Sequence, residues 1–474
     1  MVRTLPLMLV TGVGVILVVW DAFRKSILEL AWISGAVLAI GIVLELWRLN
    51  AEAGTAFYGM VRTGGYASFV NIVILSGGLL TVALSPAYWK RTGQEYGEVY
   101  ALILLATAGM IVLGTANNMV AVFVGLETMS VSLYIMAGLL RGDEGSAEGA
   151  LKYFLLGAFA TGFFLYGIAL LYGSTGTMYI PEMAAGLEAS GQVMLFRAGA
   201  ALLLIGFFFK VGAVPFHMWT PDVYQGAPTT MVGYMSTTSK AAAFGALILI
   251  LRDIMPADGW APLLASVALA TMVLGNLLAV LQGNVKRMLA YSSIAHGGYI
   301  LVGLTAGGAA AWSGALYYLL VYTLMNIGAF GVMAFLEWDG KGGREQTLDS
   351  LAGVGLRKPL LGVTMGCFMF SLAGFPPFGG FLGKYAVFAP AVDAGYTWLV
   401  VVGVLASVVS AFYYLRVLYV FFMRSPQDIP ETAPAMDAAF PTPLALRVVL
   451  VACAAALLVL GIAPGLLNMT LGFF

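Results

Sequence analysis

Runs of about twenty consecutive apolar residues recur along this chain, and no other feature limits its fold so strongly. They fall near 5–22, 27–47, 68–87, 98–116, 118–140, 149–172, 194–214, 229–251, 260–282, 289–307, 311–336, 358–392, 396–423 and 444–466. A helix of that length crosses a hydrocarbon core about 30 Å thick. Only 10% of the 474 residues are charged and 61% are hydrophobic, whereas an ordinary soluble chain is about one quarter charged. There is too little polar surface to face water all round. Alternating apolar and polar strands are absent, which argues against a membrane barrel. The pattern predicts an all-α polytopic membrane protein with about 14 transmembrane helices. Disordered, coiled-coil and secreted disulfide-rich architectures are excluded by the same composition. The 23 basic and 23 acidic residues cancel, so no nucleic-acid-binding footprint exists. Span 1 lacks a small-residue cleavage site and reads as a retained helix rather than a signal peptide.

Loops after odd-numbered spans carry Arg24, Lys25, Lys90, Arg91, Arg141, Lys286, Arg287, Lys341, Arg344, Arg357, Lys358, Arg424 and Arg447. The opposite side carries Arg3, Arg48, Arg62, Arg197 and Arg252, and the other five basic residues lie within spans. Thirteen against five places the odd-numbered loops in the cytoplasm and both termini in the periplasm. The loops at 47–66, 173–193 and 337–357 are polar, Gly-rich connections without a readable motif.

Charged side chains inside spans are the next constraint, because one at the bilayer centre costs at least about 2.5–3.5 kcal/mol. Glu127 sits in GLETMSVSLY of span 5, Lys210 ends LLLIGFFFK in span 7, and Lys240 lies about 16 Å into span 8. A row of such residues on successive spans points to a polar path through the bilayer. Glu127 and Lys210 are open to a second reading as a static buried ion pair, although such pairs stabilise weakly. Lys152, about 5 Å into span 6, is open to a second reading as a snorkelling interfacial lysine. Lys240 has no acidic neighbour in sequence. Burial penalises its ammonium form, which suits a group that loads and releases protons.

Two spans are interrupted. Span 7 breaks at VGAVPFHMW around Gly212 and Pro215, and span 12 breaks at AGFPPFGGFLGK. Unbroken, residues 358–392 would rise about 52 Å. Irregular backbone at that depth is tolerated only inside protein or beside a watery cavity, and Lys384 lies just beyond the second break, in the outer half. Interrupted helices five apart are the mark of two inverted five-helix repeats, with helices 7 and 12 broken. The organisation expected is residues 1–97 for helices 1–3, 98–252 for the first repeat, 260–423 for the second and 444–474 for helix 14. The halves show no clear sequence identity, so ordinary proline kinks without a repeat remain a second reading.

Of the two histidines, His217 follows Pro215-Phe216 and His296 lies in AYSSIAHGGY of span 10. Histidine titrates near neutral pH, which suits a proton relay at His296; a satisfied hydrogen-bonding role is the other reading. A bis-histidine haem would need the two rings to face one another, and nothing in the spacing requires it. Cys367 and Cys453 read as small core residues, and no metal site is expected.

The segments PFHMWTPDVYQGAPTT, NVKRMLAYSSIAHGGY and AGFPPFGGFLGKY, in that order across nearly the whole chain, resemble the antiporter-like membrane subunits of proton-pumping NADH:quinone oxidoreductase, respiratory complex I. Within that family the stretch from Asp222 to Pro228, a lysine at position 384 and an end close behind span 14 are similar to the N-type subunit rather than its M and L relatives. The resemblance implies fourteen helices with inverted repeats, a Glu127–Lys210 switch pair, a central proton carrier at Lys240 and an exit residue at Lys384. It places Lys152, His217 and His296 on the connecting proton path. It also implies a bacterial inner-membrane location, an M-type antiporter-like neighbour and small K- and J-type subunits. NADH, FMN, iron–sulfur clusters and quinone belong on partner subunits, with no cofactor on this chain. The rival functions are an Mrp-type cation/proton antiporter subunit and a structural spacer that moves no ions.

Overall fold

The computed structural model describes residues 2–23, 26–94, 96–255, 257–337, 346–425 and 441–474. Of the loop cations named above, Arg24, Lys25, Lys341 and Arg344 lie outside these residues. The chain starts with α1 (Leu5–Phe23), α2 (Ile27–Arg48), α3 (Gly65–Thr92), α4 (Glu98–Gly114), α5 (Met119–Ala137) and α6 (Glu144–Thr175). It continues with α7 (Met183–Ser190), α8 (Val193–Val211), α9 (Trp219–Gly226), α10 (Thr229–Ile254), α11 (Ala257–Val280), α12 (Val285–Ala306) and α13 (Gly308–Leu336). The last group is α14 (Val354–Arg357), α15 (Pro359–Ala373), α16 (Gly379–Asp393), α17 (Thr397–Phe422), α18 (Leu444–Ile462) and α19 (Gly465–Leu471).

Each expected span has a counterpart. Span 7 is α8 with the short α9 beyond its break, and span 12 is α15 plus α16. The connections hold more structure than their composition suggests. Residues 47–66 contain an antiparallel hairpin, β1 (Gly54–Ala56) with β2 (Val61–Thr63), in the register Gly54↔Thr63. Residues 173–193 contain α7.

α10 is the axis of the molecule. It is buried from Thr229 to Leu251 and packs against α3, α4, α5, α8 and α13. Outward faces of α1, α6 and α17 expose Ile16, Val19, Phe159, Tyr166, Leu405 and Val408, as expected where the surroundings are hydrocarbon. Without a hydrophobic drive between helices, close packing at small residues holds the bundle together. Where α4 crosses α5, a Cβ on Gly109 would sit 2.5 Å from Met129 N, and one on Gly125 2.5 Å from Leu113 N. α11 crosses α12 in the same manner, with a Cβ on Gly275 2.8 Å from Ala295 N and one on Gly298 2.8 Å from Met272 N.

This correspondence runs through two sets of five spans, α4 to α10 and α11 to α17. In both sets the first span packs on the fifth and the fourth is broken. Five is odd, so the second set starts from the opposite side. The breaks share a design. Gly212 ends α8 at φ +70° and Gly374 ends α15 at φ +89°, conformations that favour glycine. Ala213 N donates to Phe208 O and Phe375 N to Phe370 O, closing both helix ends alike. A cis Pro215 and a cis Pro377 stand three residues after each glycine.

Candidate functional site

Lys210, Lys240 and Lys384 are buried, and each donates to neutral oxygens. Lys210, next to last in α8 and 4% exposed, donates to Ser130 Oγ at 2.6 Å and Tyr134 Oη at 3.1 Å, both on α5. Its ammonium also lies 5.1 Å from the Tyr134 ring centroid, a favourable cation–π arrangement. Glu127, one turn earlier on α5, is half-buried and accepts from Thr161 Oγ1 of α6 at 2.8 Å. Among the described residues no carboxylate lies within ion-pair distance of Lys210. The static Glu127–Lys210 pair is therefore not formed; Ser130 and Tyr134 hold the lysine, and Thr161 holds the glutamate.

Lys240, 1% exposed near the middle of α10, donates to Ser293 O at 2.6 Å and Ser293 Oγ at 2.7 Å on α12. A Cβ on Gly297 would lie 3.9 Å from its Nζ and 3.4 Å from Val211 O, so the ammonium sits beside the broken end of α8. Lys384 repeats this arrangement at the other break. Its Nζ donates to Ala373 O, the last carbonyl of α15, at 2.8 Å and to Ser407 Oγ of α17 at 2.6 Å. A helix C-terminus carries partial negative charge and unpaired carbonyls; breaking helices 7 and 12 inside the bundle brings that negative end to a buried cation.

His296 stands one turn after Ser293 on α12, and its ring centroid lies 5.5 Å from that of Tyr299, whose ring faces the Lys384 ammonium at 5.0 Å. One ring nitrogen, Nδ1, pairs with Tyr318 Oη at 2.7 Å, and the other, Nε2, with Tyr414 Oη at 3.1 Å. Tyr414 Oη bonds in turn to Ser292 Oγ, beside Ser293. The Tyr318 ring rests against Gly383, the neighbour of Lys384. Serine, tyrosine and histidine groups thus line the interval from Lys240 to Lys384. Between Lys210 and Lys240 no such bridge forms among the described residues. With both nitrogens of His296 occupied by tyrosines, the ring has no lone pair aimed at a haem iron. Among the described residues no three His, Cys, Asp or Glu side chains gather as metal ligands.

The remaining two site residues lie off this row. Lys152 stands eight residues into α6, which begins earlier than the sequence suggested, and it does not snorkel alone. Its Nζ bonds to Glu148 Oε1 at 2.6 Å and Asp222 Oδ2 at 2.7 Å, while Arg287 Nη1 holds Asp222 Oδ1 at 2.7 Å. His217 is half-buried in the segment between α8 and α9, and among the described residues it is not a hydrogen-bond partner of Lys152, Lys210, Lys240 or Lys384. Sequence reasoning missed Ser130, Ser293 and Ser407, whose visible signal was a hydroxyl inside an apolar span. It also missed Arg287, read there only as a topology marker, and the buried Lys286–Glu337 pair, 3.5 Å apart.

Burial alone would raise the Asp222 carboxyl, but hydrogen bonds from Lys152 and Arg287 outweigh it and hold the group below the ordinary carboxylate value. A depressed native value contributes stability above the unfolded-state value, lost as pH falls through the native one. Asp222→Asn should therefore lower stability at pH 7 on the order of 1 kcal/mol, since the cluster is partly exposed. Melting curves of the assembled complex should show this gap closing as the pH drops below about 4; a gap independent of pH contradicts the assignment.

A twice-broken bundle of this topology, carrying a row of buried lysines, defines an antiporter-like membrane protein. Residues 116–410 match the family described as NADH:quinone oxidoreductase/Mrp antiporter, TM, and the chain belongs to that family. NADH-quinone oxidoreductase subunit N of Salinibacter ruber is 60% identical over 468 residues, 98% of this chain and 94% of that one. A chain in the structure of respiratory complex I from Thermus thermophilus with bound aureothin superposes with a TM-score of 0.83 at 36% identity, covering 97% of each chain. A chain of the Mrp complex from Dietzia sp. gives a TM-score of 0.85 at 23% identity over 99% of this chain and 96% of that one, which shows a shared fold.

Proposed function

We propose that this chain is the N-type membrane-arm subunit of a bacterial NADH:quinone oxidoreductase and that it translocates protons, driven by electron transfer in partner subunits. The observation that carries the reading is the polar interval from Lys240 through Ser293, Tyr414, His296 and Tyr318 to Lys384, buried among apolar helices. A static structural charge calls for a carboxylate partner, since an unpaired buried ion is costly. Neutral hydroxyl and carbonyl partners instead let each amine exist with or without its extra proton.

In this reading the working units are the repeats at 98–252 and 260–423, and the ends bearing Lys152, Asp222 and Arg287 face the cytoplasm, with both chain termini outside. A proton reaches neutral Lys240 Nζ, passes to the His296 imidazole by way of the hydroxyls, and moves on to Lys384. Glu127 sets the charge state of Lys210 by approaching or leaving it. At 4 Å and an effective dielectric near 20, that contact is worth about 4 kcal/mol, roughly a thousandfold in proton occupancy. The flavin, iron–sulfur clusters and quinone site belong to other subunits, and the neighbours are an M-type antiporter-like subunit with the small K- and J-type subunits.

Lys384→Arg tests the reading. Arginine keeps the positive charge but does not give up its proton. In proteoliposomes containing the whole complex, both Lys384→Arg and the smaller Lys384→Gln should cut coupled proton pumping by roughly tenfold, about 1.4 kcal/mol in barrier. Normal pumping in the arginine variant would make position 384 a fixed charge rather than a carrier. Sodium transport that persists without NADH would favour the cation antiporter instead.

A further inference from the structure

At the end that holds Lys152, a cavity of about 320 Å³ opens between α6, α9 and α12. Its walls include Asp143, Glu148, Asp222, Gln225, Arg287 and Glu337. Glu337 follows the last residue of α13 and is only 3% exposed. Its Oε1 lies 3.5 Å from Lys286 Nζ, and its Oε2 accepts from Thr229 Oγ1, on the first residue of α10. Lys286 also donates to Ala227 O at 3.0 Å. A buried ion pair is a weak source of stability, so its place at the wall of a polar cavity calls for another explanation.

α10 and α13 run side by side from this point toward Lys240. On α10, Thr229, Gly233, Ser236 and Lys240 recur at the spacing of one helix face. The facing positions are Tyr322, Asn326 and Phe330 on α13, with Glu337 just past its end. A Cβ on Gly233 would sit 3.3 Å from Phe330 Cβ. Further along, Asn326 Nδ2 donates to Ser236 Oγ at 2.7 Å and to Tyr322 Oη at 2.9 Å. Among the described residues, Asn326 Oδ1 and, next to Thr229, Thr230 Oγ1 have no hydrogen-bond partner although both are buried. The seam from Glu337 to Lys240 is therefore lined by hydrogen-bonding groups at both ends, about 16 Å apart by eleven residues of helical rise, and narrows at Phe330.

We propose that Glu337 is the intake carboxylate that takes protons from the cavity and passes them along the α10–α13 seam to Lys240. The proposal rests on Lys240 being the carrier. A proton from cavity water neutralises the Glu337 carboxylate and loosens its pair with Lys286, whose ammonium keeps the Ala227 carbonyl. Transfer of that proton to the neutral Lys240 amine restores the carboxylate, and one proton has moved with no other bond changed.

The test uses the complete complex in proteoliposomes. Glu337→Gln keeps the side-chain shape and a hydrogen-bonding oxygen but cannot carry a proton; it should lower coupled pumping at least fivefold, while Glu337→Asp keeps more than half. During turnover, difference infrared spectra should show a deuterium-sensitive carboxylic acid band that Glu337→Gln removes, a signal a purely structural role would not produce. Pumping at the wild-type rate in Glu337→Gln overturns the proposal. Should that variant fail to assemble on native gels, absence of any such band in the wild type overturns it equally. Lys240→Ala is measured alongside: if it blocks pumping and Glu337→Gln does not, the intake assignment alone falls, whereas unaffected pumping in both removes the carrier reading as well.

Discussion

Complexes carrying Lys240→Ala should assemble but lose the proton translocation proposed for this chain, and their NADH oxidation should fall roughly tenfold or more, at least about 1.4 kcal/mol in barrier. The expectation follows from position. Lys240 is fully enclosed on the central helix α10, and among the described residues its ammonium is held by Ser293 alone, through Ser293 O and Oγ. Removing it takes away the group that meets both the seam from Glu337 and the hydroxyl and imidazole groups leading to Lys384. Folding should survive, because an uncompensated buried cation is a cost to the native state, and alanine is a strong helix former. The decisive measurement is the proton-to-electron ratio in sealed vesicles together with the turnover rate. An unchanged ratio at normal turnover is incompatible with Lys240 as the carrier.

The second large effect is on assembly. Gly380 is the second residue of α16, just past the second break, where its N donates to Ser371 Oγ at 3.2 Å. A Cβ there would stand 1.8 Å from Ser371 O. That neighbour is backbone, so no side-chain rotation relieves the clash; α16 must move away from α15 and carry Lys384 off Ala373. Gly461 of α18 meets the same region, its Cβ position lying 1.9 Å from Pro377 O, so the displaced segment has no free space on that side. Gly380→Ala should cost about 3 kcal/mol or more, at the upper end for overpacking, and the subunit should nearly vanish from native gels of the membrane. Gly366→Ala is the control: nothing lies within 4 Å of its Cβ position on α15, so stability should hold or rise slightly. Equal abundance of the two variants would mean that the break is more pliant than its contacts imply.

Much of this architecture is legible without coordinates because membranes impose simple rules. Apolar length marks the spans, and prolines beside glycines mark the breaks; among the described residues a helix or broken helix stands at each of the fourteen runs, eleven of them holding a helix long and apolar enough by itself to cross a membrane, with the interruptions at Pro215 and Pro377. The likeness of the two breaks was also visible, as Phe208, Gly212 and Pro215 share their spacing with Phe370, Gly374 and Pro377. Three matching residues are lost against general sequence divergence until the hydrogen bonds Ala213 N to Phe208 O and Phe375 N to Phe370 O align them. The β-hairpin at 54–63 stayed hidden because two three-residue strands are too short for alternation to register.

Sequence alone determined that this is a helical membrane protein and that Glu127, Lys210, Lys240 and Lys384 are its costly residues, because the penalty for charge in hydrocarbon depends on depth, and depth can be counted along a span. Only the tertiary structure decided what those charges touch. Hydrogen bonds are set by angstrom-scale distances across helices remote in sequence, so the separation of Glu127 from Lys210, the seats of Lys240 and Lys384 at two helix ends, and the pairing of Glu337 with Lys286 exist only once the bundle has closed.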